Sequence, residues 1–91
     1  MGTETYRRTV ELLEADVSDE LVALDPDKGS CFGFNAVAKD VWRKLERPRS
    51  FEELRNELLD EYVVAEDQCT NELRDLLKQM SDSKLIERTS A

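Results

Sequence analysis

The sequence predicts an α+β domain, a three-stranded antiparallel sheet followed by three helices, and three observations carry that reading. Residues 9–34 are short, β-branched and aromatic, and they are broken by turn chemistry. From residue 35 onward the apolar spacing changes from two to 3.6. Between the second and third predicted strands, Asp25-Pro26-Asp27-Lys28-Gly29 supplies a Pro that presets a type I turn and a Gly free to take positive φ. Sheet first and helices after is the order of a winged helix-turn-helix unit.

Each element has its own signal. The first strand is read over Thr9–Val17, where the alternation of Val10, Leu12, Leu13, Ala15 and Val17 slips by one and predicts a bulge. Ser18, Asp19 and Glu20 turn the chain into a second strand at Leu21–Leu24, and the Pro-Gly hairpin returns it into a third at Ser30–Phe34. Asn35 is placed to cap a helix whose inward face is Val37, Ala38, Val41, Trp42 and Leu45, and which stops before Pro48. Ser50 and Glu53 have the spacing of a capping box, opening a second helix over Phe51–Tyr62. A third helix runs over Glu66–Ser83, with Cys69, Leu73, Leu76, Leu77 and Met80 on one side and Leu85 and Ile86 closing the core behind it. The domain is thus expected over residues 9–86, with a flexible N-terminus at 1–8 and a C-terminal tail at 87–91.

Composition removes several functions. A domain of 91 residues buries only about two thirds of its unfolded surface, enough for one modest core. There is no His, which takes away the commonest general base and metal ligand. Two Cys 38 positions apart do not build a zinc site, and the three Gly, at 2, 29 and 33, form no phosphate-cradling loop. Catalysis, metal and cofactor are therefore not expected. No stretch approaches the ~20 apolar residues of a membrane span, and no secretory pattern opens the chain, so a cytoplasmic protein is expected.

The charge is acidic, −8 overall. The third helix of a winged unit ordinarily enters the major groove, but here Glu66, Asp67, Glu72, Asp75 and Asp82 outnumber Arg74, Lys78 and Lys84. Phosphate contacts require cations, so nucleic acid is not an expected partner. An acidic winged-helix module acting in transcription remains the alternative from a different class. The one basic cluster, Arg43, Lys44, Arg47 and Arg49, either complements the dipole at the end of the first helix or meets an acidic partner.

The third strand is the more informative feature. In a meander the second strand is central, so the third keeps one edge of unpaired N–H and C=O groups. Natural edges are blunted with charge or Pro, yet this one reads Ser30-Cys31-Phe32-Gly33-Phe34. Such an edge is either covered by the protein itself or used to pair with an added peptide strand; it can also pair with a second copy, giving an edge-paired dimer instead of a monomer.

These residues, taken together, resemble a known family. Leu21-Val22-Ala23-Leu24-Asp25, Gly29, Phe32-Gly33-Phe34-Asn35, Ala38, Val41-Trp42, Pro48-Arg49-Ser50 and Leu73–Leu77 are similar to the PqqD-type domain. That family comprises the peptide-binding proteins of pyrroloquinoline quinone and lasso peptide biosynthesis, also called RiPP recognition elements. The sequence departs from the pattern in having Phe34 for Leu, Glu72 for Asp and Lys84 for Gly. The resemblance covers about Thr9–Ile86 and implies a non-catalytic protein that holds the leader segment of a precursor peptide as an extra strand, in a groove shared with the third helix. Carried onto this chain, it implies strand addition to Cys31–Phe34, beginning at Ser30. Cys69, Leu73, Leu76 and Met80 would offer apolar pockets, and Glu72 and Asp75 would receive a leader cation. The resemblance is greatest to the stand-alone lasso peptide members, whose partner is a leader peptidase, a transglutaminase-like cysteine protease. The quinone branch, whose partner is a radical enzyme, is the second reading.

Overall fold

A computed structural model of the protein describes residues 4–90. In chain order the elements are β1 (Glu4–Arg8), β2 (Leu13–Val17), β3 (Glu20–Leu24), β4 (Cys31–Phe34), α1 (Ala36–Lys44), β5 (Arg49–Ser50), α2 (Phe51–Glu61), α3 (Glu66–Asp82) and β6 (Ile86–Ser90). The α+β class, the antiparallel meander and the three helices are as the sequence predicts. Strands β2, β3 and β4 form it in that order, with Leu21 opposite Phe34 and Ala23 opposite Phe32.

The local signals act where they stand. Gly29 has φ +71°, and the Asp25 carboxylate accepts from the amides of Asp27 (2.9 Å) and Lys28 (3.2 Å), closing the turn. The Asn35 side chain accepts from the Ala38 amide at 2.9 Å to cap α1, and Ser50 and Glu53 form both halves of the capping box on α2. At the end of α3, Lys84 takes φ +62°, a left-handed position that Gly usually fills. Around these elements one core forms, centred on Trp42, Leu21, Leu45, Leu54, Leu77 and Val41, all essentially without exposure.

Three expectations are corrected. The predicted first strand, Thr9–Val17, begins only at Leu13, and the slip in alternation marks a bend between two sheets, not a bulge within one. Glu4–Arg8, expected to be flexible, is a strand, and most of the expected tail pairs with it as β6; residues 1–3 and 91 lie outside the described residues. This second sheet, ordered β5-β1-β6, is held by the buried Tyr6 and Ile86 and by cross-strand pairs Arg7–Glu87 and Glu4–Arg88. Thirdly, Val37 is exposed instead of facing the core.

The basic cluster is largely engaged within the chain. Arg43 pairs with Asp16 at 2.8 Å, Lys44 with Glu61 at 2.6 Å and Arg49 with Glu57, so these cations tie α1 and its exit to β2 and α2. Among the described residues no helix is long and apolar enough to cross a membrane.

Candidate functional site

The edge singled out from the sequence is uncovered. Strand β4 pairs with β3 on one side, and among the described residues no strand lies on the other. The C-terminal segment, which had the length to cover it, pairs with β1 instead.

Which backbone groups face outward follows from the ladder. The Asp25 amide donates to the Ser30 carbonyl at 2.8 Å, marking Asp25 and Ser30 as a hydrogen-bonded pair. Antiparallel pairs alternate between bonded and non-bonded, so Phe32 and Phe34 turn their N–H and C=O groups toward β3. Cys31 and Gly33 turn theirs to the open edge. The Phe side chains point inward, Phe34 stacking on Trp42 with centroids 5.7 Å apart. Gly33 has open space where a Cβ would stand, on the outer face of the sheet.

Beside this edge runs a groove of about 340 Å³ whose other wall is α3: Cys31, Phe32, Gly33 and Phe34 line it across from Leu76, Gln79, Met80 and Ser83. A second cavity of about 300 Å³ continues along α3 toward its N-terminus, lined by Val37, Tyr62, Val63, Cys69, Glu72 and Leu73 among others. Leu76 lines both, so the two adjoin at that side chain, and the channel they outline follows α3 from the sheet edge. Cys69, Leu73 and Met80 are buried and form its floor, while Leu76 is half-buried and presents apolar surface.

The chemistry of the channel is that of a binding surface. Burial pushes the Cys69 thiol above its ordinary pKa, with Glu72 adding to the shift, so it stays a protonated, apolar lining group. The Tyr62 hydroxyl donates to the Asp40 carboxylate, and that bond pushes its pKa up to about 12, which fixes the ring as a neutral wall. Glu72 has no cation within ion-pair distance among the described residues and receives only the Gln68 amide at 3.2 Å. Its negative charge is available at the rim. Among the described residues no group of three or more Cys, Asp or Glu is placed to hold a metal ion.

Of the residues singled out from the sequence, nine line the channel: Cys31, Phe32, Gly33, Phe34, Cys69, Glu72, Leu73, Leu76 and Met80. Ser30 and Asp75 do not. The Ser30 carbonyl is engaged in the β3–β4 turn, and Asp75 is exposed outside both cavities. Gln79, beside Leu76 on the flank of the third helix's apolar stripe, lines the groove as the sequence suggests, whereas sequence reasoning passed over Ser83. It also took Val37 for core and Tyr62 for the end of the second helix, although both line the cavity. A helical stripe reports which side of a helix is apolar, and not where that side runs out from under its cover.

The fold and this channel define a class: a winged-helix α+β module with an open strand edge beside a helix-walled groove. Residues 20–86 match the family described as coenzyme PQQ synthesis protein D (PqqD), and the chain belongs to that family. A solved structure of TbiB1 in complex with the TbiA(beta) leader peptide is similar to it, with a TM-score of 0.75 and 30% identity over 89% of this chain and 94% of that one. A comparison with curated proteins returned no match.

Proposed function

We propose that this protein is a non-catalytic carrier of the leader segment of a ribosomally synthesised precursor peptide. The leader adds as a strand to β4, its backbone pairing with the outward groups of Cys31 and Gly33, and its apolar side chains enter the channel over Leu76, Met80, Leu73 and Cys69. Main-chain bonds supply affinity and the channel fixes the register. Glu72, with Asp75 further out on α3, draws a Lys or Arg of the leader. The open β4 edge beside a half-open groove walled by α3, with the apolar cavity over Leu73 and Cys69 next to it, is the observation that carries this reading. Membership of the PqqD family and the likeness to a leader-peptide complex support it.

The carrier delivers its cargo to a leader peptidase, a transglutaminase-like cysteine protease, in lasso peptide biosynthesis. Holding the leader makes a bimolecular encounter nearly intramolecular, which raises the effective concentration of the cleavage site without any chemistry by the carrier. The family description favours a second reading, in which the peptide is passed to a radical enzyme of quinone cofactor biosynthesis. Titration of isotope-labelled protein with its cognate leader peptide tests the site. Amide shifts should concentrate at residues 31–34 and along α3, and shifts confined to β1 and β6 would reject it. Adding each candidate enzyme in turn then separates the two branches.

A further inference from the structure

The outer face of the β2–β3–β4 sheet is apolar where a one-sided antiparallel sheet ordinarily alternates to polar. In β2 the residues facing the helices are acidic: Glu14 accepts from Trp42 Nε1 at 3.0 Å, and Asp16 pairs with Lys39 and Arg43 at 2.8 Å. That phase places Leu13, Ala15 and Val17 outward. Register aligns Leu13 with Leu24 and Cys31, and Ala15 with Val22 and Gly33, so the outward residues form one continuous surface. Leu13 is 62% exposed, Val17 54%, Val22 39% and Leu24 38%, which makes four large apolar side chains open to solvent on one small face. The turns that bound it carry Asp19 and Glu20 at one end, which is acidic, and Asp27 with Lys28 at the other, where the charges balance.

Charge and size decide between occupants. The face measures roughly 200 Å² from strand spacing and length, against about 800 Å² per partner in a stable interface. A second copy docked face to face would bring together two chains that each carry −8. A partner whose apolar patch is ringed by Lys and Arg meets no such repulsion. A strand added to β4 would also extend the same face, supplying part of the missing area. We propose that this outer face docks the enzyme that takes the leader from the carrier, through an apolar patch ringed by cations. This rests on the leader-carrier reading above and adds the surface by which the loaded carrier is recognised.

The test uses the full chain, its cognate leader peptide and the enzyme that processes that leader. The variant L13T/V17T/V22T/L24T keeps strand-compatible residues while removing the apolar face, and E20K reverses one rim charge. Leader affinity is read by fluorescence anisotropy, enzyme affinity by calorimetry with leader present, and folding by circular dichroism. The expected result is leader affinity within twofold of the parent protein, with the enzyme Kd weakened at least tenfold by the quadruple variant. E20K should weaken the enzyme Kd several-fold at low salt and flatten its salt dependence. An enzyme affinity within twofold of the parent in both variants overturns the proposal. So does a parent protein that sediments as a dimer and a quadruple variant that sediments as a monomer, since the face would then belong to a second copy. Failure of the parent protein to bind leader is a separate readout, and it strikes the carrier reading.

Discussion

If the leader is held by main-chain pairing to β4, a proline at Gly33 should abolish tight capture while leaving the fold in place. The Gly33 N–H faces the open edge, so its loss takes no hydrogen bond from the β3 ladder, and the ring enters space that is empty in the free protein. In the complex the same change leaves a leader carbonyl without its donor. A buried unpaired acceptor costs about 1–3 kcal/mol, which is roughly a 5- to 150-fold rise in Kd. Cys31→Pro should act in the same way. Phe32→Pro should not: its N–H bonds to β3, so that variant loses stability as well as binding. Anisotropy of a labelled leader measures the affinities and thermal melts measure the folds. A folded Gly33→Pro protein with the parent Kd would refute strand addition at this edge.

Three further outcomes are expected. Leu76→Ala, at the junction of the two cavities, should weaken leader binding by about tenfold, from a loss of about 1.5 kcal/mol of apolar burial, with little change in melting temperature because Leu76 is only half-buried; calorimetry checks it. Lys84→Gly should relieve the positive φ at the end of α3 and stabilise the fold by about 0.5–1 kcal/mol, a rise of about 4 °C in a thermal melt. Tyr62 should ionise near pH 12 instead of 10, because its hydroxyl donates to Asp40. Its folded pKa lies above the unfolded value, so the stability it contributes is full below pH 10 and is lost as pH rises from 10 to 12. Spectrophotometric titration of tyrosinate in the parent protein and in Tyr62→Phe reads this directly, and a Tyr62 transition at pH 10 in the folded protein contradicts it.

Much of the site was legible because its signals are short. The Asp25–Gly29 turn, the Asn35 cap and the Ser50–Glu53 box each act within three or four residues, and together they place β4 between a hairpin and a helix. The uncharged run from Ser30 to Phe34 then marks the edge. What escaped was every feature that depends on a distant partner. Glu4–Arg8 and Ile86–Ser90 carry one large buried apolar residue each, Tyr6 and Ile86, so neither alternates strongly enough to read as a strand by itself.

The sequence by itself therefore determined the meander followed by three helices, the turns and caps, the acidic third helix and the identity of the unprotected strand. Tertiary structure alone decided three things: that the two ends of the chain pair with each other and leave β4 open, that Cys31 and Gly33 are the residues with outward amides, and which side of β2 faces the helices. The last shows the physical reason most clearly. Alternation in Leu13–Val17 gives two possible phases and favours burying the apolar one, but Trp42, Lys39 and Arg43 on α1 offer partners to Glu14 and Asp16, and those contacts turn the acidic phase inward. Periodicity says that a strand has two faces, and only the groups packed against it choose between them.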